Sequence, residues 1–397
     1  MYASVHTDRT GRVYVSDDHR ASGWNGSEHV PLDEVIPLPR GTRLLPLVRD
    51  AEAFGRDGRM RAIGRGRTAL SAILPAGYTR LLFPSYAEER ADAPLAPLPY
   101  AAVASAPGGD LVVAAMRHGS PVAPAEISGS PGAIQEALRS WPGNDLVRQL
   151  VRCAREHECL AARAGLAGGP ELPVPIGALT AEQPLLPIAL RSGYPGMPAE
   201  QAALHPVADE ILQLVTPQVT RIAFGRACDG DPLLALRPME EAVSLVHARH
   251  PGVEIHVETT GCSAAALRRL IEAGVTSVTV RFASAMPDTY RALHGPVAHE
   301  WSDVRASISL AAERARLTLA LLLLPGVTDR PAESDAIVGL VGDLPGGSLE
   351  LRDLGADPRR ALAGLPRGRP RGMRSLLDRL GEADHFEVTA PAMPAAV

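Results

Sequence analysis

The chain has 397 residues, 46% of them hydrophobic and only 4% aromatic, with a formal net charge of −5. That length accommodates two domains and a sizeable aliphatic core, and the charge gives no whole-chain attraction to nucleic acid or to an anionic membrane. All 40 Lys-plus-Arg positions are arginine, which excludes Schiff-base lysine chemistry and a phosphate-binding loop with its lysine.

Residues 1–15 lack the apolar segment of a secretory signal, and no apolar run reaches the roughly 18 residues of a membrane span. A cytoplasmic protein with no membrane partner is expected. From 1 to 125 the runs GRVYVSDD, EVIPLP, TRLLPLV, YTRLLFP, YAAVASA and DLVVAAM are separated by Gly, Pro, Asp and Ser turns. This pattern predicts a small β-rich accessory domain without a catalytic signal. Residues 126–170 read as a helical connector, PGAIQEALRSW and then PGNDLVRQLVRCAREHECLAARAG, with Asn144 or Asp145 as N-cap. The second run predicts one helix carrying both Cys153 and Cys159. Six residues apart, they fall on different faces, so packing accounts for them better than a shared metal. Residues 166–201 are dense in Gly and Pro and predict a loop with one short strand near 172–176.

From 203 the period becomes regular. Amphipathic runs (ALHPVADEILQLV, PMEEAVSLVHARH, AAALRRLIEAG, VRASISLAAERA, ESDAIVGLVGDL, MRSLLDRLGEA) alternate with apolar ones (TRIAFG, EIHVETT, SVTVRFA, LTLALLLLP, SLELRDL, HFEVTAP). Such alternation predicts parallel βα units, hence an α/β fold with a partial or full (β/α) barrel over 171–397. Function is then expected at the C-terminal ends of the strands.

Several motifs fall at those ends. RIAFG leads to Asp229-Gly230-Asp231-Pro232; EIHVE leads to Thr259-Thr260-Gly261; SVTVRFASA leads to MPDTYRALHGP; LLLLPGVTD is followed by Glu333; SLELRDL runs on into GADP. Taken in order, over residues 200–360, they resemble the radical S-adenosylmethionine (radical SAM) superfamily. The resemblance implies a ligand site at Gly230, Asp231, Pro232, Thr259, Thr260, Arg281, Ser284, Gly326 and Arg352. It makes S-adenosylmethionine a candidate ligand, with the Gly326 turn lining its adenine. Two departures stand out. The family's CxxxCxxC cluster loop belongs after the first strand, where PIGALTAEQPLLPIALRSG holds no Cys or His and only Glu182 as a hard ligand. Arg281 and Phe282 end strand four, where the family tends to carry a small hydroxyl. A [4Fe–4S] cluster is held by thiolates, so none is expected here. The expected function is a cluster-free pseudoenzyme, or a module binding an unknown small molecule or protein partner. The alternative is an enzyme with other cluster or metal ligation, or a barrel repurposed for cluster-free catalysis.

Four further readings concern single residues. Cys228 and Cys262 could bind a metal with His294 or Asp229, or serve as a small turn residue and a helix cap. Asp229 and Asp231 could be an acid pair, or a solvated turn capping the next helix. Glu258 needs a buried partner, which Arg281 or Arg352 could supply, either to hold an anion or to fill space. The arginine-rich stretch 358–379 lacks interleaved aromatics, so a solvated loop is favoured over a nucleic-acid surface.

Overall fold

The computed structural model describes residues 1–87, 95–96, 98–118, 131–156, 159–177, 207–225, 230–295, 297–366 and 368–391. The N-terminal region is built from strands β1 (Ala3–Thr7), β2 (Val13–Arg20), β3 (Ser22–Trp24), β4 (His29–Pro31), β5 (Ile36–Pro37), β6 (Arg43–Asp50) and β7 (Glu52–Phe54). It continues through β8 (Met60–Ala62), β9 (Thr68–Ile73), β10 (Tyr78–Arg80), β11 (Phe83–Pro84), β12 (Tyr100–Ser105), β13 (Leu111–Val113) and β14 (Ala115–Arg117). Nine of these form an antiparallel sheet in the order β5-β13-β12-β9-β1-β2-β7-β8, with β6 also on β9. β11-β3-β4 and β10-β14 are smaller sheets. The six runs read from sequence all contain strands. β1, β3, β4, β7, β8 and β9 were not among them. β9 is TALSAI, buried along nearly its whole length between β12, β1 and β6. It therefore lacks the in–out alternation that marks a half-exposed strand, and its two alanines carry little β propensity.

Helices α1 (Pro131–Ser140), α2 (Asp145–Glu156) and α3 (Leu160–Leu166) follow. Asn144 caps α2, its Oδ1 accepting from the Val147 N–H at 2.9 Å. The single helix expected to carry both cysteines is two helices. Cys153 lies on α2, whereas Cys159 has extended backbone (φ −63°, ψ 110°) and caps α3. An extended residue cannot continue a helix, so the chain restarts there. Neither forms a disulfide.

A seven-stranded parallel sheet begins with β15 (Glu171–Val174), is followed in the chain by α4 (Ala208–Leu212), and continues through β16 (Arg221–Phe224), β17 (Glu254–Thr259), β18 (Ser277–Phe282), β19 (Arg316–Leu323), β20 (Gly347–Asp353) and β21 (Phe386–Thr389). Spatial order follows chain order, and each neighbouring pair is parallel. The connections carry α5 (Leu236–Arg249), α6 (Ala264–Ala273), α7 (Pro287–His294), α8 (Trp301–Arg314), α9 (Pro331–Gly342), α10 (Pro358–Ala361) and α11 (Met373–Gly381). Right-handed crossovers in sequential order place the helices on one face. That face is apolar: Val257, Val280, Leu319 and Leu351 pack in one core with Leu267, Ile308 and Leu376 from the helices.

The opposite face is polar, because residues at i, i+2 and i+4 share it. Glu254, His256 and Glu258 come from β17; Ser277, Thr279 and Arg281 from β18; Glu350 and Arg352 from β20. Adjacent strands lie about 4.8 Å apart, so β17 and β20 would be roughly 14 Å apart in a flat sheet. Arg352 Nη1 nevertheless reaches Glu258 Oε1 at 2.8 Å. The sheet therefore curls toward its polar face. Among the described residues no pairing joins the edge strands β15 and β21. The architecture is the expected mixed α/β one, with a β-rich N-terminal region and a curled parallel sheet. No helix among the described residues is long and apolar enough to cross a membrane.

The N-terminal region docks on the C-terminal ends of β18, β19 and β20. Trp24 and Phe83 share an apolar cluster with Ala283, Leu322, Leu324, Val327 and Leu354. Arg80 is fully buried there. Its backbone N–H donates to Asp353 Oδ2 at 3.0 Å, its Nη2 donates to the Leu354 carbonyl at 2.8 Å, and its guanidinium sits 4.5 Å from the Phe83 ring centroid. Burial pulls Arg80 down to about 10 and pushes the Asp353 carboxyl up.

Candidate functional site

Two polar clusters form at the strand ends. The first is centred on Asp231, just past β16. Its Oδ1 accepts from Leu233 N–H (3.0 Å) and Thr259 Oγ1 (2.7 Å); its Oδ2 accepts from Thr260 N–H (2.8 Å) and Thr260 Oγ1 (2.6 Å). Asp231 is thus the cap of the turn at Pro232–Ala235 and a clasp between the ends of β16 and β17. It is buried rather than solvated, which corrects half of the turn reading: the capping is present, but the carboxylate is stabilised by four donors instead of water. Gly230 is required by close approach. A β-carbon there would overlap the backbone carbonyls of Ile176 and Gly177, which follow β15.

The second cluster lies on the polar face. Arg352 grips Glu258 with two bonds, 2.8 and 3.3 Å, and its Nε donates to Glu350 at 2.6 Å. Arg281 Nε lies 3.8 Å from Glu258. Glu258, Arg281 and Arg352 are all buried. Burial alone would lower the Arg352 pKa, but the carboxylates of Glu258 and Glu350 outweigh it and hold the guanidinium charged. Toward the other end of the strands the polar face continues. His256 Nδ1 pairs with Ser277 Oγ at 2.9 Å, Ser277 Oγ donates to Glu254 at 2.6 Å, and Arg221 lies 3.2 Å from Glu254. Glu350 was missed by the sequence reading, although its i, i+2 spacing to Arg352 places it on the same face.

The remaining site residues are dispersed. Ser284 Oγ donates to Glu333 Oε2 at 2.7 Å, and Glu333 also receives Arg330 at 3.2 Å. Gly326 lies against the backbone of Asn25 and Gly26 from the N-terminal region. Phe282 packs on Trp301, ring centroids 6.0 Å apart. Cys262 does not cap α6; Ser263 does, its Oγ accepting from Ala266 N–H at 3.2 Å. Burial, helped by the nearby Asp231 charge, pushes the Cys262 thiol up to about 12. Cys228, Asp229, Glu182 and residues 178–195 of the expected cluster loop lie outside the described residues. Among the described residues, no group of three His, Cys, Asp or Glu side chains is placed to hold a metal ion. The arginine-rich stretch is largely engaged by protein groups: Arg359 lies 3.9 Å from the Trp24 ring centroid, Arg371 and Arg379 both bind Asp335, and Arg374 binds Glu34.

His294, at the end of α7, is fully buried and stacked on Tyr290 at 4.1 Å, with no hydrogen-bond partner among the described residues at either ring nitrogen. Burial, with His299 and Arg281 nearby, drops its pKa to about 3. The folded state thus keeps this imidazole neutral while the unfolded chain protonates it below about 6.5. Its share of stability is complete above that value and is lost as pH falls toward 3. His294→Phe retains the ring and removes the unsatisfied nitrogens. Urea titrations are expected to show a gain of about 1–3 kcal/mol at pH 7 and a shallower acid limb between pH 6.5 and 3. His118, dropped to about 4 by burial, keeps that limb from vanishing.

Residues 199–336 match the family model described as the radical SAM superfamily. No curated protein matches the chain. Among solved structures, the radical S-adenosylmethionine methyltransferase TsrM from Kitasatospora setae aligns at 18% identity over 36% of this chain and 28% of its own, with a TM-score of 0.30. A domain of pyruvate-formate lyase-activating enzyme from Bacteroides vulgatus ATCC 8482 aligns at 12% identity over 41% of this chain and 95% of its own, TM-score 0.31. SuiB from Streptococcus suis aligns at 9% identity over 62% of this chain and 53% of its own, TM-score 0.37. The chain thus spans a little over a quarter of the length of TsrM.

Proposed function

Starting from the match of residues 199–336 to the radical SAM superfamily model, we propose that the chain is a cluster-free member of that superfamily, a binding module in place of a radical-generating enzyme. The observation that carries this reading is the donor set. A [4Fe–4S] cluster needs thiolates, and the four cysteines, Cys153, Cys159, Cys228 and Cys262, form no CxxxCxxC. Burial pushes the Cys153 thiol up to about 11 and the Cys262 thiol up to about 12, so both are protonated at neutral pH. Those thiols do not fit the group, and no radical step is derived through it.

The polar face gives the same reading a second support. Glu258, Arg281, Glu350 and Arg352 interlock by charge on the curled inner face. A preorganised, buried set of donors and acceptors suits the recognition of a small polar molecule at the strand ends. Anaerobic reconstitution with iron and sulfide tests the proposal. Background iron and no reducible absorbance are expected, and about four irons per chain would refute it.

A further inference from the structure

The N-terminal hairpin tip between β3 and β4 sits on the turn that follows β19, at the C-terminal end of that strand. Its turn is internally tied: Asn25 Oδ1 accepts from Ser27 N–H at 3.0 Å and Glu28 N–H at 2.9 Å, and Asn25 N–H donates to the Glu28 carbonyl at 3.1 Å. The tip meets the turn after β19 backbone to backbone. Gly26 and Gly326 both have positive φ (90° and 84°). A β-carbon on Gly26 would overlap the Pro325 carbonyl, and one on Gly326 would lie 2.9 Å from the Asn25 carbonyl oxygen. The opposing turn is equally closed, with Gly326 N–H donating to Asp329 Oδ1 at 2.7 Å and Thr328 Oγ1 to the Leu324 carbonyl at 3.1 Å. Ser27 Oγ adds a bond to the Gly368 carbonyl at 3.1 Å. Two tied turns in glycine-only contact leave no room for a ring between them.

Ligands of parallel α/β sheets sit outside the carboxyl ends of the strands. A nucleoside with an amino-acid or phosphate extension spans several strand ends. Here the ends of β18 to β20 are covered by Trp24, Phe83 and Arg80. The nearby Ser284 hydroxyl is bound to Glu333, and the Thr259 and Thr260 hydroxyls to Asp231. We infer that Gly26 and Gly326 are specificity-determining residues. Their contact makes the N-terminal hairpin a fixed internal occupant of the ends of β18 to β20, which excludes a nucleoside with such an extension from this site. This rests on reading the strand ends as a binding site.

The experiment titrates the full-length protein with S-adenosylmethionine and, separately, adenosine by calorimetry, and follows amide exchange over residues 324–329. The wild type is expected to show no saturable binding tighter than about 1 mM and unchanged exchange. Gly26→Val is expected to lift the hairpin and raise exchange over 324–329 by about tenfold or more. Saturable wild-type binding of either nucleoside overturns the inference. So does Gly26→Val with unchanged exchange in a cooperatively folded protein. If that variant does not fold, the wild-type titrations alone decide. Nucleoside binding with background iron sinks this inference and leaves the cluster-free reading standing. Four irons without nucleoside binding does the reverse.

Discussion

Glu258→Ala is expected to destabilise the protein by about 3–5 kcal/mol in urea or guanidinium titrations, the largest loss from any single polar substitution in the curled sheet. Glu258 takes both terminal nitrogens of Arg352 and lies 3.8 Å from Arg281, all within the buried inner face. Its removal leaves two cations out of water with Glu350 as the remaining carboxylate that Arg352 contacts among the described residues. The loss reflects the removal of a buried carboxylate that both cations face, not a large net contribution of the pair. Replacing Glu258 and Arg352 together by Met is therefore expected to restore much of it, because two desolvated charges disappear at once. A double mutant as unstable as Glu258→Ala would show that the network does more than neutralise itself.

Asp231→Asn is the second large effect, a loss of about 3 kcal/mol. The carboxylate accepts four hydrogen bonds, two from hydroxyls and two from backbone N–H groups. An amide keeps one oxygen and turns an NH2 against donors. Thr260 N–H then faces another donor or loses its partner in a buried site, which costs more than an average hydrogen bond contributes. Since Asp231 ties β16 to β17, amide exchange at Thr259 to Gly261 is expected to quicken before global unfolding. Unaltered exchange there would mean that the clasp is held elsewhere.

Some of this site was legible in the chain alone. Glu258, Arg281 and Arg352 all read as lying at strand ends, and the cost of a buried charge made Arg281 or Arg352 a candidate partner for Glu258. The Gly-Asp-Pro turn announced a cap because Asp and Pro there have few other uses. Other features had no local signature. β9 is buried between three partner strands, so its alternation is gone. Cys159 read as mid-helix because apolar spacing runs on through a break that only backbone dihedrals reveal. Gly26 and Gly326 looked like ordinary turn glycines, far apart in sequence, and nothing local says that they touch.

The sequence by itself determined the order of βα units, the apolar helix-facing side of the parallel sheet, and a set of four cysteines without CxxxCxxC spacing. These follow from periodicity and from counting residue types, which need no knowledge of distant neighbours. Only the tertiary structure decided that the sheet curls until β20 reaches β17, that Asp231 is a buried clasp, and that the N-terminal hairpin sits on the turn after β19. Each depends on contacts between segments far apart in the chain, set by packing, where side-chain reach and backbone closeness operate and sequence spacing carries no information.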